Sequence, residues 1–458
     1  MSELISRREA LRRGLMGAAG LCLADHLTFR AWASSPASKV ASKAKSVIQI
    51  WLWGGPPHLD TFDPKPEAGK DYCGPLSKPI ETNVSGIRIS ELLPLLAKQA
   101  DKYSLIRGLT HGSNAHETAT YMVQTGRKAG ERFVYPCVGS VVSLFRGYDG
   151  GYQGQIPPYV LLTEPVGRFE ESGFLSARYK PFITGGDPSQ DRFAVEGIAA
   201  EGITDKQQGD RRNLLDKLDT LSHALPENPG LKALARSREQ AFDLIIGDGG
   251  KAFDLSQEKD AVRDRYGRGI APVQAPANFT APRTKFGQAC LVARRLVERG
   301  VPYITINYPG WDTHKDNFVE MRRMLPDLDK GLSSLIAELA ERGLLESTII
   351  WCGGEFGRTP KIQWEAPWNG GRGHWGNAFC ALVAGGGFKG GHIVGTTDGR
   401  GEEVKDRPVH PADLIGAIYT LLGIDPAAAL PNPQGLDMRV MPAPADGVPT
   451  YGLLKEII

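Results

Sequence analysis

Two kinds of hydrophobic pattern alternate along this chain. Continuous apolar runs rich in β-branched residues are typical of strands buried on both faces, and apolar residues spaced three or four positions apart are typical of amphipathic helices. Their alternation predicts a layered α/β fold with a mainly parallel sheet. The predicted strands are 47–53, 103–109, 301–307, 347–352 and 378–385, and the predicted helices are 90–101, 283–299, 326–343 and 411–423, with a further helix ending at Thr125.

The pattern changes between about 150 and 280. Turn-rich strands are predicted around 156–185, and charged amphipathic segments follow them. We interpret this region as an insertion that forms a lid or cap packed on the core. The amphipathic segments are 209–223, 231–246 and 257–266.

The N-terminal segment combines paired arginines with a short apolar run. Arg7 and Arg8 precede 15-LMGAAGLCLA-24, and the small-residue site 31-AWA-33 allows cleavage before Ser34. This order resembles a twin-arginine export signal, which predicts the twin-arginine translocase as a partner and a periplasmic or extracellular location. The alternative is an arginine-rich amphipathic helix of a cytosolic protein. Because spanning a bilayer takes about 20 apolar residues, no membrane span is expected in the mature protein.

Charge and cysteine usage exclude other classes of protein. The formal net charge is +2, from 54 basic and 52 acidic residues, so no nucleic-acid partner is expected. Five cysteines follow the predicted signal, an odd number with no C-x-x-C pair. This argues against both a zinc knuckle and a disulfide framework.

Polar residues with metal-binding and acid–base chemistry collect where the predicted strands end. Right-handed crossovers would place the C-terminal end of every strand at one edge of the sheet, where open α/β sheets bind ligands. The candidates are Asp60 after the first strand, His111, Asn114 and His116 after the second, Asp312 and His314 after 301–307, Glu355 and Arg358 after 347–352, and His374 ahead of 378–385.

Carboxylate oxygens and imidazole nitrogens together form a ligand set for divalent metals. This mixture favours zinc or manganese, whereas carboxylates alone favour calcium or magnesium. Asp312 and His314 are two positions apart, so in an extended segment they point to the same side and can bind one ion. His374 would supply a third ligand, and Asp60 with Glu355 could hold a second ion. The sequence therefore predicts one or two divalent ions.

Each candidate also has a purely structural interpretation. Asp312 could form a turn, His374 could lie in a flexible glycine loop, Glu355 could cap a helix, and Arg358 could be a surface charge. His392 and His410 are interpreted as structural. Convergence at one sheet edge is what favours a site.

The motifs together resemble a known family. The segments GGPPHLDTFDPKP, LVARRLVERGVPYITI, GWDTH, GGEFGRTP, GRGHWGN and PADLIGAIYTLLGID resemble the exported family called domain of unknown function 1501, which is similar to alkaline phosphatases and sulfatases. The resemblance implies a three-layer α/β/α sandwich with a mainly parallel sheet and a two-metal or single-calcium site at the strand ends. The implied organisation is a signal peptide at 1–33, a linker at 34–46, an alkaline phosphatase-like domain at 47–440 with the insertion at about 150–280, and a tail at 441–458.

The same resemblance implies roles for individual residues. Asp60 matches the metal-binding aspartate after the first strand, Asp312 and His314 match an aspartate–histidine pair, and His374 matches a later histidine of the same metal. Glu355 lies where phosphatases have an Asp-His pair. Phe356 replaces that histidine, so one ligand of the second metal is missing.

The nucleophile is where the sequence departs from the superfamily. The sulfatase signature Cys-x-Pro-Ser-Arg is absent, which argues against a formylglycine sulfatase, and His116 occupies the register of the usual nucleophile. His116 could attack phosphorus itself. It could instead replace the missing metal ligand, in which case a metal-bound hydroxide would attack. Arg358, with His111 or Asn114, would orient the oxyanion.

The expected function is an exported, metal-dependent hydrolase of phosphate or sulfate esters. Its substrate would be an anionic ester from a polysaccharide or a small molecule. The alternative is a non-catalytic exported binding protein that keeps the sulfatase-like fold and the metal site.

Overall fold

The computed structural model describes most of the chain after residue 41. The described residues are 42–130, 133–163, 165, 171–188, 205–220, 247–268, 286–432 and 434–458, with individual positions between 224 and 244. The predicted signal at 1–33, the linker as far as residue 41 and parts of the predicted insertion lie outside them.

Eight of the described strands form the central sheet, and the other six form two-stranded ladders. The strands are β1 Ser46–Trp51, β2 Ile80–Glu81, β3 Arg88–Ile89, β4 Tyr103–Leu109, β5 Tyr159–Leu162, β6 Phe182–Ile183, β7 Tyr303–Asn307, β8 Thr348–Gly353, β9 Gly357–Arg358, β10 His374–Trp375, β11 Phe379–Ala384, β12 Ile393–Val394, β13 Thr396–Thr397 and β14 Val404–Asp406. The order in the central sheet is β12-β4-β11-β8-β1-β7-β5-β6.

Helices cover both faces of this sheet. The described α-helices are α1 Lys70–Cys73, α2 Pro94–Ala97, α3 His116–Thr125, α4 Val138–Arg146, α5 Asp205–Leu218, α6 Asp248–Lys251, α7 Asp260–Arg265, α8 Phe286–Glu298, α9 Asn317–Glu341 and α10 Pro411–Leu421.

Alternate residues of the buried strands divide between two cores. Ile48 and Ile50 of β1 are fully buried with residues of α8 and α9 on one face. Val47 and Trp51 of the same strand are buried with residues of α4 and α10 on the other face. Because successive strand residues point to opposite faces, a strand covered on both sides needs a continuous apolar run. The predicted three-layer α/β/α sandwich is confirmed.

Strand β11 runs opposite to its neighbours. It is antiparallel to both β8 and β4, whereas β1 is parallel to β7 and β8, β5 to β6 and β7, and β4 to β12. The sheet is mainly parallel, as predicted. The expectation that every strand ends at the same edge is wrong for β11, whose N-terminal end lies there instead. This reversal brings the segment before Phe379, which contains His374, to the carboxyl edge of the parallel strands.

Two predicted helices have different bounds in the structure. The helix predicted at 90–101 is only the single turn α2. The helix predicted to begin at Pro326 begins earlier, at Asn317, and contains Pro326 in its interior. Proline lacks a backbone N–H and is favoured in the first turn of a helix, which explains why the pattern places the start there.

The remaining sequence-level expectations concern cysteines, membrane spans and the C-terminal tail. Among the described residues, Cys73, Cys137, Cys290, Cys352 and Cys380 are buried free thiols. No helix in the described ranges combines the length and the apolar character needed to cross a bilayer. The predicted tail at 441–458 packs on the domain through Leu454 and Ile457, which are both 0% exposed.

Candidate metal centre

The carboxyl edge of the parallel strands holds a cluster of three histidines and one aspartate. His116 is the first residue of α3, which follows β4, while Asp312 and His314 follow β7. His374 reaches them from β10, which pairs antiparallel with β9 so that His374 lies opposite Arg358. Three separate segments of the chain therefore supply the cluster.

His116, Asp312 and His374 present one ligand atom each to a common point. These three atoms all lie within 4.8 Å of one another. His116 Nε2 is 3.3 Å from Asp312 Oδ2, and His374 Nε2 is 3.2 Å from Asp312 Oδ1. Two imidazole nitrogens and a carboxylate oxygen at this spacing form a ligand set for a divalent transition metal.

The hydrogen bonds behind two of these histidines determine which nitrogen faces the cluster. His374 Nδ1–H donates to the backbone carbonyl of Asn114 at 2.8 Å, and His116 Nδ1–H donates to Glu355 Oε1 at 2.6 Å. When the rings are neutral, each Nε2 consequently carries a lone pair directed toward Asp312. His116 Nε2 is buried and makes no hydrogen bond to any residue that the structure describes, which is the state expected of an atom that ligates a metal.

His314 lies on the solvent side of the same point. Its Nε2 is 2.8 Å from His374 Nε2 and 3.1 Å from Asp312 Oδ1, and 39% of its side chain is exposed. Two imidazole nitrogens at this distance repel unless a proton or a metal ion lies between them. The structure thus brings Asp312, His314 and His374 together, with His116 as an additional neighbour.

The electrostatics of the cluster favour a cation between its carboxylates. Burial lowers the pKa of His116, but the neighbouring carboxylates of Asp312 and Glu355 outweigh burial and raise the pKa to about 9. For Asp312, burial raises the pKa, but contacts with His116, His374 and Arg358 outweigh burial and hold the pKa below its usual value. In the absence of a metal, the His116 imidazolium itself provides the positive charge.

Glu355 lies behind His116 rather than among the converging ligand atoms. Its side chain is 0% exposed, and besides His116 it accepts a hydrogen bond at 3.0 Å from the backbone N–H of Gly54. Gly54 has φ +113°, and a Cβ there would lie 2.3 Å from the backbone nitrogen of Asp312. Glu355 therefore holds the His116 ring through Nδ1, on the side away from the converging atoms, while the prediction that Glu355 itself binds a metal remains a prediction.

Asp60 has a different partner from the one predicted. Both of its oxygens accept hydrogen bonds from Arg372, at 2.8 and 2.9 Å, and Asn317 Nδ2 donates to it at 2.8 Å. Asp60 is 1% exposed and Arg372 is 0% exposed. The structure places Asp60 in a buried ion pair, while the prediction that it binds a metal remains a prediction.

The guanidinium of Arg358 donates its hydrogen bonds to other atoms of the protein. Arg358, 1% exposed, donates to the backbone carbonyls of Gly54, Gly55 and Arg372 and to Asp312. The predicted oxyanion role of Arg358 therefore disagrees with this placement, because the guanidinium is enclosed by its partners.

The other two predicted oxyanion residues also bind neighbouring backbone. His111 Nε2 donates to the carbonyl of Glu355 at 2.7 Å, and its Nδ1 accepts from Ser113 at 3.1 Å. Asn114 Oδ1 accepts from the backbone N–H of Gly376 at 2.7 Å. Asn114 remains exposed, so of the three predicted oxyanion residues it is the one accessible to a ligand.

Sequence reasoning missed residues that support the cluster. Arg372 and Asn317 were not singled out, although Arg372 lies in the same glycine-rich motif as His374. Trp53 stacks on His116 with ring centroids 5.0 Å apart, and Phe356 stacks on His374 at 4.7 Å. Phe356, where a histidine was expected, thus packs its apolar ring against two of the clustered histidines, His116 and His374.

Comparisons with solved structures find similar chains at low identity. Lipoteichoic acid synthase LtaP from Listeria monocytogenes is 10% identical, covering 89% of this chain and 77% of that chain, with a TM-score of 0.36. PsFucS1 sulfatase from Pseudoalteromonas sp. is 13% identical, covering 93% and 76%, with a TM-score of 0.35. Alkaline phosphatase from the Antarctic bacterium TAB5 is 10% identical, covering 77% and 95%, with a TM-score of 0.29. At these TM-scores the similarities carry no argument about the site.

Comparisons of the sequence give a more definite result. No curated protein sequence matches the chain. A family model described as "Protein of unknown function (DUF1501)" matches residues 44–448, which is most of the domain. The chain therefore belongs to the DUF1501 family, as its motifs predicted.

Proposed function

We propose that this protein is a metal-dependent hydrolase of phosphate or sulfate esters. One observation carries the proposal: His116, Asp312 and His374 direct ligand atoms to one point, within 4.8 Å of one another. Their nitrogen lone pairs are oriented by partners on the far side of each ring. Metal-binding histidines almost always have such an outer partner on the second ring nitrogen.

The donor set fits zinc or manganese better than calcium or magnesium. Two or three imidazole nitrogens with one carboxylate oxygen are intermediate in softness, whereas calcium and magnesium prefer oxygen ligands alone. His116, Asp312 and His374 would hold the ion, and His314 would complete its coordination from the solvent side. When bound, the ion would act as a Lewis acid toward the ester and would acidify water.

The charge of the cluster suits an anionic substrate. Asp312 and Glu355 contribute two negative charges and Arg358 one positive charge, all within a network of direct contacts. With neutral histidines, a divalent ion would make the cluster net positive. An anionic group would then be attracted to the exposed side, where His314 and Asn114 are accessible.

The protein's own residues orient and shield this centre. Arg358 donates to Asp312 from a buried position and holds the carboxylate in place. Glu355 holds His116 by Nδ1, and Phe356 excludes water from the inner side of the cluster. Because Glu355 holds Nδ1 and Nε2 faces the point shared with Asp312 and His374, we favour a role for His116 as a ligand over direct attack on phosphorus.

Metal analysis combined with ester hydrolysis tests the proposal. His374→Ala should lower zinc affinity by more than about 100-fold, since it removes a ligand rather than an outer partner. It should also abolish hydrolysis of 4-nitrophenyl phosphate, bis(4-nitrophenyl) phosphate or 4-nitrophenyl sulfate. His392→Ala is the matched control, because His392 is exposed and binds only the carbonyl of Gly390.

One outcome would contradict the metal centre, and another would favour the alternative function. Equal zinc binding by wild type and His374→Ala would remove the metal centre from the proposal. Tight zinc binding by the wild type with no turnover of any ester would support the alternative function, a binding protein that keeps the metal site.

We also infer that the protein is exported by the twin-arginine route, supported by the order of Arg7, Arg8 and the apolar run. Replacing both arginines by lysine in a fusion of residues 1–40 to a reporter should retain the reporter in the cytoplasm. Unchanged export of the variant would contradict this inference.

A further inference from the structure

A loop beside the metal centre presents two tryptophans toward solvent. We call residues 361–371 the tryptophan loop; it is closed by a bridge between Gln363 and Gly371. Trp368 is half-buried, and its ring centroid is 6.4 Å from that of His314. Its backbone carbonyl accepts a hydrogen bond from Asp316 at 3.0 Å. The loop is therefore attached directly to the segment that carries Asp312 and His314.

Trp364 is an exposed ring with rigid support. It is 47% exposed, and it stacks on Phe318 with centroids 5.9 Å apart and an interplanar angle of 17°. Gly370, at φ +85°, makes room for this ring, because a Cβ at that position would lie 3.2 Å from Trp364. An exposed large apolar ring held in a fixed position lowers the entropy cost of binding a ligand.

The polar residues around the two rings identify the kind of ligand. Lys361, Glu365 and Asn369 are exposed within the same loop. A lipid or a hydrocarbon chain would leave these groups without partners. A sugar ring matches both features, because its C–H face packs on an indole ring and its hydroxyl groups hydrogen-bond to amide, carboxylate and ammonium groups.

We propose that the tryptophan loop binds a pyranose ring of the substrate beside the metal centre, which makes the substrate class esterified saccharides. The proposal rests on the proposed function, because the ester group is placed at the cluster next to His314. Trp368 borders the esterified residue of the saccharide. Trp364 supports the neighbouring ring.

Equilibrium binding of two polyanions to the zinc-loaded full chain tests this proposal. Dextran sulfate carries sulfate esters on pyranose rings, and poly(vinyl sulfate) carries the same esters without rings. Trp364→Ala should weaken dextran sulfate binding by about three- to tenfold, the range expected for one lost stacking contact, and Trp364→Phe should retain most of the affinity. Tyr451→Ala is the matched control, since Tyr451 is an aromatic residue 49% exposed outside the loop.

Poly(vinyl sulfate) separates ring recognition from attraction by charge. The proposal expects its binding to be the same in wild type and Trp364→Ala. It is overturned if Trp364→Ala binds dextran sulfate as tightly as the wild type, or if the variant loses affinity for both polymers equally.

Turnover separates this proposal from the proposed function. Suppose that Trp364→Ala selectively loses dextran sulfate binding while the wild type cleaves no ester. This result would refute the hydrolase function but would support saccharide binding by the tryptophan loop. If the protein cleaves 4-nitrophenyl esters but Trp364→Ala binds dextran sulfate as tightly as the wild type, saccharide binding by the tryptophan loop is refuted and the hydrolase function stands.

Discussion

Replacing Asp60 by asparagine tests whether this carboxylate stabilises the fold or binds a metal ion. The side chain is buried and accepts three hydrogen bonds, two from Arg372 at 2.8 and 2.9 Å and one from Asn317 at 2.8 Å. Arg372 is also buried, and its other donors go to the backbone carbonyls of Tyr72, Thr359 and Pro360. The guanidinium is therefore held in place when its charge partner is removed.

The size of the effect follows from the charge that remains. A buried ion left without its partner costs about 3–5 kcal/mol, which is a large part of the stability of most domains. We expect Asp60→Asn to lower the free energy of unfolding by about this amount. Replacing Arg372 by methionine in the same chain should recover part of the loss, because the double variant contains no buried charge at this position.

Urea unfolding in the presence of EDTA measures this effect without a contribution from bound metal. Asp437→Asn provides the control, because Asp437 pairs with Arg439 at 3.1 Å on the surface, with 71% of its side chain exposed. A surface pair of this kind contributes at most about 1 kcal/mol. If Asp60→Asn unfolds in EDTA at the wild-type urea concentration but binds zinc more weakly, the structural reasoning is refuted and the metal-ligand prediction is restored.

Three further predictions concern the metal centre and a buried helix cap. Glu355→Gln should reduce zinc affinity by about 10- to 100-fold in calorimetric titration, because it weakens the partner that orients His116; unchanged affinity would contradict the outer-carboxylate role. Gly54→Ala should lower both stability and zinc affinity, since the added Cβ would lie 2.3 Å from the backbone nitrogen of Asp312, and a wild-type melting temperature would argue against this close approach. His410 is the N-cap of α10, where its Nδ1 accepts a hydrogen bond from the backbone N–H of Ala412 at 3.2 Å. Burial lowers the pKa of His410 to about 4, so the stability from the neutral imidazole should be complete above the unfolded-state pKa of about 6.5 and should fall by about 3 kcal/mol as the pH drops to 4. The free energy of unfolding, measured with urea across this pH range, should depend less on pH in His410→Asn than in the wild type. An equal pH dependence in both proteins would contradict this prediction.

The layers of the fold were predictable because a strand buried on both faces has a run of apolar residues that is visible in the sequence. A strand such as β1 is apolar at most positions when helices cover both sides, so the runs locate the strands without any knowledge of their neighbours. The direction of β11 within the sheet has no corresponding pattern in the sequence. An antiparallel strand buried on both faces has the same apolar run, and only the path of the preceding segment, through Arg358 and His374, decides the direction.

The choice of partners within the site was less predictable for a related reason. Asp60 and Arg372 are 312 positions apart, and both a metal and a guanidinium satisfy a buried carboxylate. Sequence spacing identifies a carboxylate near the sheet edge but does not distinguish between these two partners. Asp312 and His314 were easier to pair, because two positions in an extended segment point the same way whatever surrounds them.

The two oriented ligand histidines differ in what lies behind them, and this difference has a chemical consequence. His374 donates to a neutral backbone carbonyl, that of Asn114, whereas His116 donates to the carboxylate of Glu355. A carboxylate increases the basicity of an imidazole more than a carbonyl does, so the Nε2 of His116 binds either a proton or a metal more strongly. Because a ligand histidine must lose its proton before it binds, metal affinity at such a site increases with pH. In the proposed metal centre, His116, which the sequence left open between nucleophile and ligand, is thus the residue at which a proton and the metal would compete.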